Sequence, residues 1–214
     1  ENGKTYTLGA RTSNGSAVTW KSSKKSVAVI DDRGKIEALK PGTTTVTASA
    51  DGSKKTCKVT VRRPIVTLNK TKVELYRGQT FQLVPEVSSG RAVTFSSQKT
   101  SVAGVDENGL VTAYKHGTAR ILAKVDGIIR ICEVTVKSPQ IVFSPAKITL
   151  KKGQSTVLKV RVSSGNKPVF SSSKTSVASV DADGRVTARK KGTCIIYIKE
   201  DGTKESCPVT VTDK

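Results

Sequence analysis

Ser101–Ala113 reads SVAGVDENGLVTA, and 75 residues further along the chain Ser176–Ala188 reads SVASVDADGRVTA. The stretch Ser26–Ala38, SVAVIDDRGKIEA, keeps the same order of residue types. The period continues without insertion or deletion outside these stretches, as three sets of positions show: Trp20, Phe95 and Phe170; Cys57, Cys132 and Cys207; Gly42, Gly117 and Gly192. A fixed period of this length is typical of an array of like structural units.

We therefore divide the chain into three repeats, 1–63, 64–138 and 139–214, and predict one domain for each. The first repeat begins at Glu1, the counterpart of Tyr76, so it has no counterpart of Ile65–Leu75 (IVTLNKTKVEL). From this we expect an excised piece of a longer chain whose first repeat lacks its leading strand. The loss should leave a bare sheet edge and make the first repeat the least stable of the three.

Apolar and polar residues alternate along the segments between turns. In Ser155–Val162 (STVLKVRV), Leu158, Val160 and Val162 share one face, and Lys159 and Arg161 share the other. A period of two indicates a strand with one buried and one wet face, whereas no segment shows helical periodicity. About seven short strands per repeat, with turns every 8–12 residues, predict an all-β fold of two-sheet antiparallel sandwiches.

Turn residues recur at fixed places. Asp-Gly pairs between two strong strands predict β-hairpins, and a D-x-x-G pattern predicts turns whose glycine has a positive φ. The hairpins are Asp51-Gly52, Asp126-Gly127 and Asp201-Gly202; the D-x-x-G turns are Asp31–Gly34, Asp106–Gly109 and Asp181–Gly184. The joints contain Pro64 or Pro139 and no glycine, so we predict stiff joints, little contact between repeats and an extended rod.

The repeated string S-V-A-x-V-D-x-x-G-x-V-T-A, followed by K-x-G-T and closed by C-x-V-T-V, resembles the bacterial immunoglobulin-like domain, group 2. The opening T-L-x-K-T-x-V-E-L-x-x-G-Q-T at Thr67–Thr80 fits the same family. The resemblance implies three tandem immunoglobulin-like sandwiches, as in the stalks of intimin- and invasin-type adhesins. Such domains serve as spacers, as adhesive tips and as appendages of secreted enzymes, so the resemblance alone leaves the function open.

The chain is strongly cationic. Its net charge of +20 is spread over the repeats as +8, +4 and +8, and aromatic residues make up 4% of the sequence. A nucleic-acid site would concentrate charge and interleave aromatic residues, so we expect none. The candidates for contact with an acidic polysaccharide are basic pairs assigned to turns and loop tips: Lys24, Lys25, Lys54, Lys55, Arg62, Arg63, Lys151, Lys152, Lys190 and Lys191. The alternative is a solvated, lysine-rich exterior that keeps the protein soluble.

Catalytic and metal sites are poorly supported. His116, the one histidine, lies in a turn without a partner acid or nucleophile, so we predict an exposed turn residue and no enzyme activity. The acidic turns at Asp31, Asp106 and Asp181 resemble calcium ligands, but bonds to their own backbone explain them equally well. Trp20, Phe95 and Phe170 are predicted core aromatics rather than sugar platforms. We expect no cofactor and no metal.

Cys194 is the one cysteine outside the repeat pattern. A type I turn at Glu200-Asp201 with Gly202 as a bulge would set Cys194 opposite Cys207, whereas a two-residue Asp-Gly turn would leave them diagonal. Because export makes oxidation possible, we predict a Cys194–Cys207 disulfide, with two reduced core cysteines as the rival. Cys57 and Cys132, which share the repeat position of Cys207, are predicted to be free buried thiols.

These observations favour a non-enzymatic stalk or adhesive segment of an exported protein at the bacterial cell surface. The alternatives are a binding module for acidic polysaccharide, from cell wall or host, and an accessory region of a secreted carbohydrate-active enzyme. We expect a monomer without nucleic-acid partners. Membrane insertion is not expected, because no apolar run in the sequence is long enough to span a bilayer.

Overall fold

The computed structural model describes residues 1–213, which form strands, turns and no helix. These residues therefore include no apolar helix of membrane-spanning length. They divide into two compact units. The first comprises Glu1–Thr71, Leu83–Ser96 and Leu122–Cys132; the second comprises Lys72–Gln82, Ser97–Ile121 and the chain from Glu133 onward. Both units take residues from the second repeat, so the three domain boundaries remain a prediction.

Each repeat is built from short strands. The first repeat contains β1 (Thr5–Thr7), β2 (Thr19–Ser22), β3 (Ala28–Ile30), β4 (Lys35–Ala38), β5 (Gly42–Ala50) and β6 (Ser53–Val61). The second contains β7 (Val66–Leu68), β8 (Lys72–Leu75), β9 (Thr80–Gln82), β10 (Pro85–Val87), β11 (Thr94–Ser97), β12 (Ala103–Val105), β13 (Leu110–Ala113), β14 (Gly117–Val125) and β15 (Ile128–Val136). The third contains β16 (Ile141–Ser144), β17 (Ile148–Lys151), β18 (Ser155–Val157), β19 (Lys159–Val162), β20 (Val169–Ser172), β21 (Ala178–Val180), β22 (Arg185–Ala188), β23 (Gly192–Glu200) and β24 (Thr203–Thr212).

The sheets of the third repeat show the complete pattern. Strands β17-β24-β23-β20 form one sheet and β18-β22-β21 the other, with β16-β19 as a further pair. The second repeat has the corresponding orders β11-β14-β15-β8, β12-β13-β9 and β10-β7, and the first has only β2-β5-β6 and β1-β4-β3. The short, mostly antiparallel strands confirm the all-β, immunoglobulin-like sandwich prediction.

The segment Ser155–Val162, predicted as one strand, forms two strands in the structure, β18 and β19. The buried face predicted for Ser155–Val162 is correct, because Leu158 is buried and Val160 packs against the core. However, β18 pairs with β22 whereas β19 pairs with β16, and the Leu158 amide between them donates to the Gly184 carbonyl at 2.9 Å. The chain therefore changes sheets at Leu158, a switch that a simple alternation of residues does not reveal.

The aromatic residues of the first and third repeats pack as predicted. Trp20 and Phe170 pack against their repeats' buried clusters, which include Val46 and Ile196 respectively. The D-x-x-G turn closes over the ring: an added Cβ at Gly34 (φ 79°) would overlap the Leu8 carbonyl oxygen and lie 3.1 Å from Trp20 Cζ2. Glycine is required there both by the positive φ and by this close approach.

The bare sheet edge predicted for the first repeat is present. Strand β24 lies between β23 and the parallel strand β17, and β15 likewise has β8 beside it. Strand β6 pairs with β5 alone within its three-stranded sheet. Cys57 on β6 is exposed, whereas Cys132 and Cys207 at the same repeat position are fully buried. The prediction of a buried Cys57 is therefore wrong, because burial at this position needs the neighbouring strand.

The predicted Cys194–Cys207 disulfide is also wrong, since all four cysteines are free. The β23–β24 hairpin pairs Glu200 with Thr203 across a two-residue turn, with φ of 37° at Asp201 and 87° at Gly202. This register sets Cys207 opposite Ile196 and leaves Cys194 two residue pairs further along, opposite Val209. The cysteines are diagonal neighbours, and burial raises the pKa of the Cys132 and Cys207 thiols.

Candidate functional site

The ten basic residues predicted to contact an acidic polymer are all exposed. Their local setting differs in part from the prediction, because Lys54 and Lys55 lie on β6 and Lys151 ends β17, rather than occupying turns. Lys24 and Lys25 occupy the turn between β2 and β3. Exposure makes these side chains available to a polyanion, and their grouping determines which of them could act together.

Four of the ten gather at one end of the third repeat. Lys151 lies beside Thr212 in the parallel register, and the Lys152 amide donates to the Thr212 carbonyl at 3.1 Å. The Lys191 ammonium pairs with the Asp213 carboxylate, and Lys190 precedes it. We call Lys151, Lys152, Lys190 and Lys191 the lysine end. It carries four cations and one neutralising carboxylate within a few residues of the end of β24.

Two basic clefts involve the first repeat, and the second of them is shared with the second repeat. One, of about 380 Å³, is lined by Arg11, Lys54 and Lys55 together with Asp51. The other, of about 590 Å³, is lined by Lys40, Arg63 and Arg91 together with Asp126. Residues of the predicted basic pairs therefore share these clefts with cations that lie outside those pairs, namely Arg11, Lys40 and Arg91. Each cleft also holds an aspartate, which lowers its attraction for a small anion.

The side chains of the turn aspartates accept hydrogen bonds from backbone amides of their own turns. Asp31 Oδ1 accepts hydrogen bonds from the amides of Arg33 and Lys35 at 3.0 and 2.8 Å. Asp106 and Asp181 accept the corresponding pairs in their repeats. These bonds confirm the turn interpretation of the aspartates. Across residues 1–213, no cluster of three or more histidine, cysteine or acidic side chains is arranged to hold a metal ion.

The joint between the second and third repeats contains an ion pair in which the carboxylate is buried and the Arg77 side chain is partly exposed. Arg77 Nε and Nη2 donate to Glu200 Oε1 at 2.8 and 2.6 Å, and only 1% of the Glu200 side chain is exposed. Asn166 Nδ2 donates to the same oxygen at 3.2 Å, and Ser164 Oγ donates to Glu200 Oε2 at 3.2 Å. A buried carboxylate with this many donors is satisfied only while Arg77 stays in place.

His116 belongs to the same joint. Its backbone amide and its Nδ1 both lie 3.1 Å from Asp201 Oδ1, and the Asp201 side chain is 3% exposed. Gly202 packs closely against the imidazole ring of His116. A Cβ added at Gly202 would lie 2.5 Å from His116 Cε1. The prediction of a simple exposed turn residue is wrong, because the Asp-Gly hairpin of the third repeat covers one side of the ring.

The joint between the first and second repeats uses the same hairpin with different partners. Asn2 Nδ2 donates to Asp126 Oδ1 at 2.6 Å, and Arg91 Nε lies 3.6 Å from that oxygen. Pro41 occupies the repeat position of His116 and has no amide hydrogen to donate, so the bond that His116 makes to Asp201 has no counterpart there. The prediction of little contact between repeats is wrong at both joints, since each buries a specific polar contact.

These joint residues carry a sequence signal that was overlooked. Arg77 stands where the other repeats have Asn2 and Lys152, and Glu200 stands where they have Ala50 and Val125. A residue that departs from its repeat equivalents is a candidate for a role at one joint only. Arg77 and Glu200 both differ from their equivalents in the other repeats, and they carry opposite charges. That combination would have indicated an ion pair between them.

The family model of the bacterial Ig-like domain (group 2) matches residues 2–61, 64–127 and 137–211. The chain is 40% identical over 118 residues to an uncharacterized protein of Clostridium acetobutylicum, covering 51% of this chain and 12% of that protein. It is 44% identical over 70 residues to kappa-carrageenase of Pseudoalteromonas carrageenovora, covering 31% of this chain and 17% of the relative. The chain thus spans less than a fifth of either relative.

The I9–I11 tandem of titin has the same kind of fold. It superposes with a TM-score of 0.52 at 13% identity, covering 93% of this chain and 90% of the titin tandem. At that identity the likeness concerns the fold alone. The threefold family match indicates a region of a surface or extracellular protein.

Proposed function

Because the chain belongs to the bacterial Ig-like domain (group 2) family, we propose that it is a non-enzymatic stalk or adhesive segment of a protein exported to the bacterial cell surface. The observation that supports a stalk best is the joint at Arg77 and Glu200. A spacer has to hold successive domains in a defined relation, and an ion pair on a buried, hydrogen-bonded carboxylate restricts rotation where it forms.

The stalk proposal predicts an extended particle. A compact globule of 214 residues would have a radius of gyration of about 17 Å. We expect small-angle scattering to give a value well above this, because the joints are short and each contains a proline. A radius of gyration near that of the globule would contradict the stalk proposal.

An acidic polysaccharide is the second candidate partner, and the lysine end supports it. Lys151, Lys152 and Lys190 are exposed and close in the structure, with one carboxylate, that of Asp213, paired to Lys191. The cationic charge of all three repeats would add a long-range attraction that is screened by salt. The likeness to kappa-carrageenase is compatible with a third role, an accessory region beside a catalytic domain, which the flanking sequence would reveal.

Binding to a polyanion such as heparin should weaken at least about tenfold between 50 and 300 mM salt, because the Debye length shortens over this range. Replacing the four residues of the lysine end with serine should weaken binding further at fixed salt. The matched control replaces four exposed lysines of other regions, Lys99, Lys124, Lys147 and Lys174, and removes the same charge. Equal losses in both variants, or tight binding to a neutral glycan that ignores salt, would contradict a site at the lysine end.

A further inference from the structure

One cleft of the first repeat combines an aromatic ring with charged and hydroxyl side chains. Its volume of about 590 Å³ lies within the range of about 300–1,000 Å³ that is typical of small-molecule sites. It is bounded by residues of β2 and β3, which are edge strands of the two sheets of this repeat. The side chains that matter below are those of Thr19, Trp20, Lys21, Lys25, Asp32 and Ser49. We call it the Trp20 cleft.

Three residues of the Trp20 cleft depart from their repeat equivalents. Trp20 stands where the other repeats have phenylalanine, Lys21 where both have serine, and Lys25 where both have threonine. The equivalents are Phe95 and Phe170, Ser96 and Ser171, and Thr100 and Thr175. A residue that the shared fold alone required would be expected in all three repeats. The indole and the two cations, gathered in one cleft, therefore indicate a role that belongs to the first repeat.

Trp20 contributes to the core and to the cleft at once. A Cβ added at Gly34 would lie 3.1 Å from its Cζ2 and 3.3 Å from its Cε2, yet the residue as a whole is only half-buried. Its indole N–H donates to no other residue among 1–213. Phenylalanine fills the same core position elsewhere, so packing alone does not require an indole. The flat ring offers an electron-rich face to the C–H groups of a sugar, and the N–H offers a donor to its oxygens.

The charged side chains of the cleft have no ionic partner of their own. Lys21, Lys25 and Asp32 are all exposed, and none of them forms an ion pair within the part of the chain that the structure describes. Ammonium groups in this state are available for charge-assisted hydrogen bonds to an anionic ligand, and the carboxylate is available to accept from hydroxyl groups. Two cations and one carboxylate leave an excess of one positive charge, which favours an acidic sugar over a neutral one.

The β5 side of the cleft is lined by a short residue. Ser49 lies opposite Thr19, and the Thr19 hydroxyl donates to the Ser49 carbonyl at 3.1 Å. Long lysine side chains, those of Lys124 and Lys199, hold the position of Ser49 in the other repeats. The serine leaves room for a ligand at this side, so the two cations of the cleft come from β2 and from the turn that follows it.

We propose that the Trp20 cleft binds one acidic sugar residue of a glycan. The sugar ring packs against the indole, its anionic group is bound by Lys21 and Lys25, and Asp32 accepts hydrogen bonds from its hydroxyl groups. This site is separate from the lysine end and shares with the proposed function only the class of ligand. It goes beyond that function because it selects a sugar by shape and hydrogen bonding as well as by charge.

The single tryptophan of the chain gives this site a direct readout. Titration of the intact chain with trigalacturonate should give a saturable change in indole fluorescence and should reduce quenching of the indole by acrylamide, because the sugar covers the exposed part of the ring. Galactose 6-sulfate, titrated in parallel, shows whether the anionic group is a carboxylate or a sulfate. The neutral methyl ester of trigalacturonate should bind at least about tenfold more weakly than the acid.

Two outcomes of these titrations would overturn the proposal. One is that neither acidic sugar changes the fluorescence at millimolar concentration. The other is that the methyl ester binds as tightly as the acid, since the lysines would then have no part in recognition.

Matched variants separate the cleft from the general charge of the chain. Lys21→Ser with Lys25→Thr copies the other two repeats, so it should fold normally and weaken trigalacturonate binding at least about tenfold. Lys35→Ser with Lys58→Ser removes the same charge from exposed positions outside the cleft and should weaken binding less than about twofold. Trp20→Phe, followed by calorimetry, should weaken it about three- to tenfold, because phenylalanine has no N–H.

The lysine end serves as a further control. Its replacement with serine should leave the fluorescence titration unchanged, so a failure of that site and a failure of the Trp20 cleft are distinguishable. Equal losses in the two lysine pairs above would show that binding depends on overall charge and would overturn a site in the cleft.

Discussion

Replacing Gly34 with alanine should lower the free energy of unfolding of the first repeat by about 3 kcal/mol, the sum of a left-handed backbone strain and a steric overlap. The residue has a φ of 79°, and the added methyl group would overlap the Leu8 carbonyl oxygen and press on the Trp20 ring. Backbone carbonyls move less readily than flexible side chains, so the D-x-x-G turn would have to shift as a whole.

Trp20 makes this measurement specific, because it is the single tryptophan of the chain and packs beside Gly34. Urea unfolding followed by its fluorescence therefore reports on the first repeat. Gly52→Ala is the matched control, since Gly52 has the same φ of 79° and an added Cβ there would meet no atom within 4 Å. We expect the control to lose about 1 kcal/mol, from the backbone term alone. If both variants lost the same free energy of unfolding, the close approach at Gly34 would make no contribution to stability.

Replacing Arg77 with alanine should destabilise the joint between the second and third repeats by about 2 kcal/mol, because it removes two hydrogen bonds from a charged donor to the buried Glu200 carboxylate. Ser164 and Asn166 still donate to that carboxylate but carry no charge. Hydrogen exchange at the β23–β24 hairpin should accelerate accordingly, since the hairpin can then separate from its partner residues.

Lys152→Ala is the control for Arg77→Ala, because Lys152 holds the same repeat position and is exposed at the lysine end. It should change hydrogen exchange little. The double variant Arg77→Ala, Glu200→Ala should lose less stability than Arg77→Ala alone, since no unpaired charge stays buried. If the double variant were the less stable of the two, the buried charge would not be the cause.

The sequence was sufficient for features whose causes are local or repeated. The D-x-x-G turns were predictable because Asp31 bonds to amides two and four residues ahead, within the turn itself. The core position of Trp20 was predictable because its aromatic equivalents recur at one fixed place. The open edge of β6 followed from comparing the first repeat with Ile65–Leu75. Each inference needed only neighbouring residues or the period.

The failures concern features set by distant contacts. The turn Lys199–Gly202 is compatible with two hairpin registers, and in the structure Glu200 is held by Arg77, which lies 123 residues earlier. Cys57 was predicted to be buried from its local pattern, but burial at that position depends on a strand from elsewhere in the chain. His116 was assigned to solvent because its partner, Asp201, is 85 residues away. The basic pairs were recognised, whereas their grouping at the lysine end required the register of β17 and β24.

The position before each Asp-Gly pair gives the repeats a fixed order. Glu200 accepts hydrogen bonds from Arg77 of the second repeat, and the adjacent Asp201 accepts one from the amide of His116. If the second and third repeats were exchanged by permutation of the gene, Glu200 would face Asn2 and Pro41 in place of Arg77 and His116, and neither Asn2 nor Pro41 carries a charge. Val125, which holds the repeat position of Glu200, would face the lysine end. Its apolar side chain could not form an ion pair with those lysines. The three repeats share one fold but are thus not interchangeable. The residues at the joints determine which repeat can follow which.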